Sequence, residues 1–271
     1  MILWCCGCQK YLGEKQPYDD YSFTHSLCRG CFKKATKEER DPGWQTQDDA
    51  LRDIFHDYLN RVQDKEDIDL QVFIKSAIKT GFGPIELFYL TVQPVLYDIG
   101  MKFFSGEVTY EQERMFTRFA EKVLNHIYLN TERPHAGPYL ALVCADSNSH
   151  SIGIRALALR LMSEGIRCDL HLPQLNKEKI IDIAKNRNLH GIGLSVATME
   201  QLADIPELLH RIRKSNPGIA ILLGGPVIDP QNIPHPVDFV HDRSNFSALL
   251  EFLHASYSKD YKPFHEDDLA S

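Results

Sequence analysis

Apolar positions along this chain fall into two regimes. From Thr46 to about Thr131 they recur at helical spacing. A first helix starts near Gln47-Asp48-Asp49 and sets Leu51, Ile54, Phe55, Tyr58 and Leu59 on one face. A second carries Leu70, Val72, Phe73, Ala77 and Ile78 and stops near Gly81. Gly83-Pro84 starts a third, with Pro84 suited to a first helical turn. It includes Leu87, Leu90, Val92, Val95, Leu96 and Ile99 and ends near Gly106. Thr109 caps a fourth, which runs through Phe116, Phe119, Val123 and Leu124. Four amphipathic helices in one stretch predict a bundle. Pro94 inside the third predicts a kink, because proline lacks the N–H and crowds the preceding turn.

After a short linker, Arg133-Pro134-His135-Ala136-Gly137-Pro138, the pattern changes to strands alternating with helices. Strands are predicted at Tyr139–Ala145, Cys168–Leu172, Gly191–Val196, Ile219–Leu223 and Val237–Val240. Helices are predicted at Ile152–Met162, Lys177–Asn186, Met199–Ile212 and Asn245–Ala255. This alternation predicts a five-stranded parallel α/β sheet of Rossmann-like, flavodoxin-like type, with ligand loops at the strands' carboxyl ends. The polar tail after Tyr257 is expected to be disordered. The expected organisation is a cysteine module over 1–40, a linker over 41–48, a helical bundle over 46–132, an α/β domain over 138–258 and a tail over 259–271.

The 271 residues suffice for two domains plus a small module, and a hydrophobic content of 43% suffices for real cores. A formal charge of −7 argues against a broad nucleic-acid surface, which needs clustered Lys and Arg. No apolar run reaches transmembrane length, and the opening Met1-Ile2-Leu3-Trp4-Cys5 does not read as a signal peptide. A cytoplasmic protein is the expectation.

Seven cysteines are present, five of them within the first 31 residues. Cys5-x2-Cys8, nineteen residues, then Cys28-x2-Cys31 fits the template of a structural four-cysteine zinc site. One ion would join two tight turns in a segment too small for its own core. The other reading is a thiol redox switch that includes Cys6. His25 reads as structural, Cys144 and Cys168 as buried strand residues, and Cys6 as the free thiol.

The second half carries three short elements, each at a predicted strand end: Asn148-Ser149-His150-Ser151-Ile152-Gly153, then Ser195-Val196-Ala197, then Gly224-Gly225. A lone histidine after a strand is usually a surface or core residue, and Gly-Gly is often a tight turn. The ordered set is more specific. It resembles the signature of the cobalamin-binding Rossmann-like domain: Asp-x-His-x-x-Gly, Ser-x-Leu, Gly-Gly. The resemblance implies that His150 binds cobalt from below in place of the cofactor's own base. It also implies that Ser195 and the two glycines line the slot for the displaced nucleotide tail. Asn148 stands where the family has Asp. Its amide oxygen can accept the imidazole N–H but supplies no charge. Gly153 would open a helix close to the tail, and Ala197 replaces the family Leu.

The helical half resembles the cap of cobalamin-binding regulators and methyltransferases in Pro94-Val95-Leu96-Tyr97-Asp98-Ile99-Gly100, Gly106-Glu107-Val108 and Glu113. Light-sensing repressors of this family have Trp, nine residues, then Glu-His. This chain has Phe103, nine residues, then Glu113-Arg114, with Phe104 where those photosensors carry a second His. The resemblance makes Phe103, Glu113 and Arg114 candidate cofactor contacts. Core packing for the two phenylalanines and a solvated helical face for Glu113 and Arg114 remain the alternatives.

Together these expectations describe a sensory or regulatory protein that binds cobalamin in adenosyl, methyl or hydroxo form, and is similar to photosynthesis anti-repressors. It would respond to light or redox state and act through a protein partner such as a transcription regulator, without enzymatic activity of its own. A methyl-carrier component of a methyltransferase system, a haem sensor on the same fold, and an interaction module without cofactor are the alternatives. Whether the chain forms a homodimer stays open.

Overall fold

Capping devices written into the sequence fix where the helices start and stop. The computed structural model describes residues 1–34, 45–144, 151–172, 175–229 and 233–257. These group into two compact units, Met1–Asn130 and Thr131–Ser271.

In the first unit, α2 spans Gln45–Gln63, so the stretch read as linker is helical from Gln45 onward. Helix α3 (Leu70–Thr80) starts where Asp69 accepts the Gln71 N–H and ends on Gly81 at φ 75°, a left-handed turn that suits glycine. Helix α6 (Tyr110–Leu129) starts with a reciprocal capping box between Thr109 and Gln112. The predicted third helix consists of α4 (Pro84–Leu87), a π turn over Phe88–Val92, and α5 (Gln93–Ser105). Pro94 cannot bond the Leu90 carbonyl, and its ring would strike it in a regular helix. The expected kink therefore takes the form of one widened turn just ahead of the proline. Tyr58, Phe116 and Phe119 form an aromatic centre of this bundle, with Tyr58 edge-on to Phe119 at 5.3 Å.

The cysteine segment packs into the same unit. Strands β1 (Ile2–Cys5), β2 (Tyr11–Glu14) and β3 (Phe23–Ser26) form a sheet in the order β2-β1-β3, followed by the short α1 (Arg29–Lys34). Trp4 is fully buried and donates from Nε1 to Asp48 Oδ1 at 2.7 Å. The Tyr11 N–H donates to the Glu86 carboxylate, and the Tyr11 ring stacks on Tyr89 at 4.9 Å. The sequence set residues 1–40 apart, but their few large apolar side chains use the helices as their core.

The second unit is an all-parallel five-stranded sheet with the order β5-β4-β6-β7-β8. Its elements are β4 (Tyr139–Cys144), α7 (Ile152–Ser163), β5 (Arg167–His171), α8 (Lys177–Ala184), β6 (Gly191–Ser195), α9 (Met199–Ser215), β7 (Ala220–Gly224), β8 (Phe239–His241) and α10 (Phe246–Ser256). Side chains alternate between two buried faces. Ala141, Val143, Ile192, Leu194, Ile221 and Leu223 join the core on the α8 and α9 side. Leu140, Leu142, Cys144, Ala220 and Leu222 join the core with residues of α7 and α10. Covering both faces is what makes these strands read as continuous apolar runs. Cys168, expected to be buried, is only partly so, because β5 is an edge strand. Among the described residues, no helix is long and apolar enough to cross a membrane.

Candidate functional site

Parallel register brings the sequence-predicted residues into one row. Cys144 pairs with Ser195, Ser195 with Gly224, and Gly224 with His241, all at the carboxyl edge of the sheet. The chain leaves β4 toward β5 on one side and leaves the neighbouring β6 toward β7 on the other, so the connections diverge between these two strands. That arrangement leaves a crevice at this edge. β4 also leads directly into the segment that contains Asn148 and His150, both of which lie outside the described residues.

Behind Ser195 the same face of β6 carries only Gly193 and Gly191. A Cβ on either would come within 2.7 Å of Leu142 or Leu140 Cδ2. The central strand thus carries minimal side chains on this face, leucines of β4 and β7 fill the space over them, and a hydroxyl stands at the mouth formed by the strand ends. At the next strand end, Gly225 has φ +135°, and a Cβ there would stand 1.8 Å from the Val196 carbonyl oxygen. No residue but glycine fits that close approach. A Cβ on Gly224 would meet the His241 carbonyl oxygen at 3.2 Å, while Gly153, in the first turn of α7, faces open space. Ala197 precedes the α9 cap, and its N–H donates to Gln201 Oε1 at 2.8 Å. The mouth is therefore bare backbone, a hydroxyl and small side chains.

The sequence did not single out Gly191, Gly193, His241 or Arg160. Glycines inside an apolar strand were the available signal for the close leucine packing. Burial holds His241 below the usual histidine range, and the Arg160 charge adds to this. Asn245 Oδ1 accepts from the Asp242 N–H, and His241 Nδ1 lies 3.0 Å from that same oxygen. The proton therefore sits on Nδ1, and Nε2 is left as an acceptor. Arg160 is buried, with its guanidinium 4.1 Å from the centre of the Phe246 ring. No sequence signal would have joined these residues, since they meet only through α7, β8 and α10.

In the helical unit, Phe103 and Phe104 lie on the last turn of α5 at 43% and 92% exposure. Core packing does not account for them. Met101 and Tyr110 are exposed nearby in sequence. Glu113 is half-buried and accepts from Thr117 Oγ1 at 2.7 Å, whereas Arg114 is exposed. The thiols of Cys5, Cys8, Cys28 and Cys31 gather so that all four sulfurs lie within 4.8 Å of one another.

Residues 139–249 match the family model of the B12 binding domain. That match spans the α/β unit from Tyr139 in β4 to Leu249 in α10. The chain is also 26% identical, over 158 residues, to the HTH-type transcriptional repressor CarH of Myxococcus xanthus. That match covers 56% of this chain and 51% of the repressor, so the chain spans about half of that relative's length. Among solved structures, it resembles the monomethylamine corrinoid protein of Methanosarcina barkeri, with a TM-score of 0.63 at 15% identity. The match covers 74% of this chain and 97% of that one, and at this identity it speaks for the fold alone.

Proposed function

We propose that this chain is a cobalamin-binding sensory or regulatory protein that passes its signal to a protein partner, such as a transcription regulator. The observation that carries the reading is the row at the carboxyl edge of a B12-binding domain: Ser195, Gly224 and Gly225 side by side, with β4 leading toward His150. The similarity to a transcriptional repressor supports a regulatory role. In this reading His150 would hold the cobalt, and the Asn148 amide oxygen could accept the N–H of the other ring nitrogen. Ser195, Gly224 and Gly225 would line the slot for the nucleotide tail at this edge. The exposed Phe103 and Phe104, with Glu113 and Arg114, offer the helical unit's contacts to the corrin. Cobalamin, when bound, would supply a cobalt centre sensitive to a change of light or redox state. The chain's residues hold the cofactor and report that change.

The test is spectroscopic. The purified chain and a His150→Ala variant are each offered adenosyl-, methyl- and hydroxocobalamin, and haem separately, in the dark and after illumination. A base-off, histidine-ligated corrin spectrum that is lost in His150→Ala supports the reading, and a light-driven change assigns the stimulus. Light-insensitive binding together with methyl transfer to an added methyltransferase would replace the sensor with a carrier. A Soret band with haem alone, or no binding at all, would overturn the proposal.

A further inference from the structure

The four-cysteine cluster belongs to neither the B12-binding domain nor the proposed corrin contacts. Cys5 is buried, Cys28 and Cys31 are half-buried and Cys8 is exposed, and the four sulfurs converge within 4.8 Å. A tetrahedron of ~2.3 Å metal–sulfur bonds has sulfur–sulfur edges of about 3.8 Å. The Cys8 and Cys28 sulfurs stand 3.8 Å apart. Backbone amides point at the cluster: the Cys28 N–H donates to Cys5 Sγ at 3.2 Å and the Cys31 N–H to Cys28 Sγ at 3.4 Å. Such donors offset the negative charge that thiolates carry around a cation.

The backbone is shaped for the same closure. Each pair reads Cys-x-Gly-Cys, with Gly7 and Gly30 before the second cysteine. A Cβ on Gly7 would meet Cys31 Cβ at 3.0 Å and its sulfur at 3.1 Å, so glycine lets the first turn close tightly on the second. Gln9 follows at φ 60°, in a left-handed conformation that completes this turn.

The residue beside this cluster ties it to the helices. Trp4 precedes Cys5 in β1, is fully buried, bonds Asp48 at the start of α2, and meets Phe82 edge-on at 5.4 Å. We propose that Cys5, Cys8, Cys28 and Cys31 hold one structural Zn2+, and that this ion fixes the three-stranded sheet against the helical bundle. Four sulfur ligands in a tetrahedral array select zinc or iron, and redox-inactive zinc fits a brace that closes all four positions. Loading exchanges four thiol protons for the ion: Zn2+ plus four Cys–SH give Zn(S–Cys)4 with a charge of −2 and four H+. The sheet alone buries too little to fold, so the ion's binding energy becomes part of the unit's stability.

The experiment uses the full chain carrying Trp44→Phe, which leaves Trp4 as the sole tryptophan. Metal analysis of the purified protein is expected to give about one zinc per chain, with four thiols shielded from a thiol reagent. A mercurial that displaces the metal is expected to release the zinc and red-shift Trp4 emission. Cys8→Ser changes an exposed ligand outside the core and is expected to lower zinc affinity at least about tenfold. Cys6→Ser is expected to leave zinc content at the parent level. Iron with visible charge-transfer absorption would overturn the choice of metal. Metal-free chain with reactive thiols or a Cys–Cys bond would overturn the site in favour of a redox switch. Undiminished zinc in Cys8→Ser would overturn the ligand set, and unmoved Trp4 emission on release would overturn the brace.

Discussion

Replacing Gly225 by alanine tests the close approach at the carboxyl edge of the sheet. The new Cβ would lie 1.8 Å from the Val196 carbonyl oxygen, 2.8 Å from its carbon and 3.0 Å from its nitrogen. Normal carbon–oxygen contact lies beyond about 3.3 Å, so the loop must retreat by about 1.5 Å. The retreat pulls on the Val196 N–H to Gly224 carbonyl bond, now 2.9 Å. Leaving a buried donor unpaired costs about 1–3 kcal/mol. Holding alanine at φ +135° costs about another 1–3 kcal/mol. The sum, about 2–6 kcal/mol, is a large share of a domain's 5–15 kcal/mol. The expected drop in melting temperature is about 5–20 °C, read by circular dichroism on the full chain. Gly153→Ala is the matched control from the same signature. Its Cβ meets nothing within 4 Å, and helical alanine is favoured over glycine by about 0.5–1 kcal/mol. It is expected to melt no lower than the parent. If Gly225→Ala melts within about 2 °C of the parent, the reasoning about position 225 fails.

Other perturbations probe the scaffold and its charges. Arg213 and Asp238 form a buried ion pair, and Arg213 also donates to the Ile219 carbonyl. Arg213→Met strands the Asp238 charge and is expected to cost about 3–5 kcal/mol in urea denaturation. Because burial depresses the His241 pKa, the unfolded chain takes up that proton first on acidification. Stability from this group is present above about pH 6.5 and is lost as pH falls from there through the lower folded value. His241→Asn is expected to flatten that part of a stability-against-pH curve, and an unchanged slope would assign it elsewhere. Thr109→Ala removes one half of the α6 capping box and is expected to cost about 1 kcal/mol by thermal melting.

Much of the architecture was readable because it is locally encoded. β4, β6 and β7 are buried on both faces, so their apolar runs stand out, and Gly81, Gly106 and Thr109 mark helix ends through their own backbone preferences. The signature residues were legible as a string, and register then placed Ser195 beside Gly224. What stayed hidden depends on partners far apart in sequence. Trp4 reaches Asp48 and Tyr11 reaches Glu86, so the N-terminal sheet could not be joined to the bundle from pattern alone. The leucine packing over Gly191 and Gly193 appears only once β4 and β7 flank them. His241 and Arg160 meet across three elements, and nothing near either residue announces the other.

The π turn at Phe88–Val92 sets the phase of everything that follows it on the helix. A π turn holds one residue more than an α turn, and each residue turns the chain by about 100°. Side chains beyond Pro94 therefore point about 100° away from where an unbroken helix starting at Pro84 would aim them. Phe103 and Phe104 face outward in that shifted phase. One surplus residue, placed where proline makes it tolerable, thus decides which way the aromatic end of the helix looks.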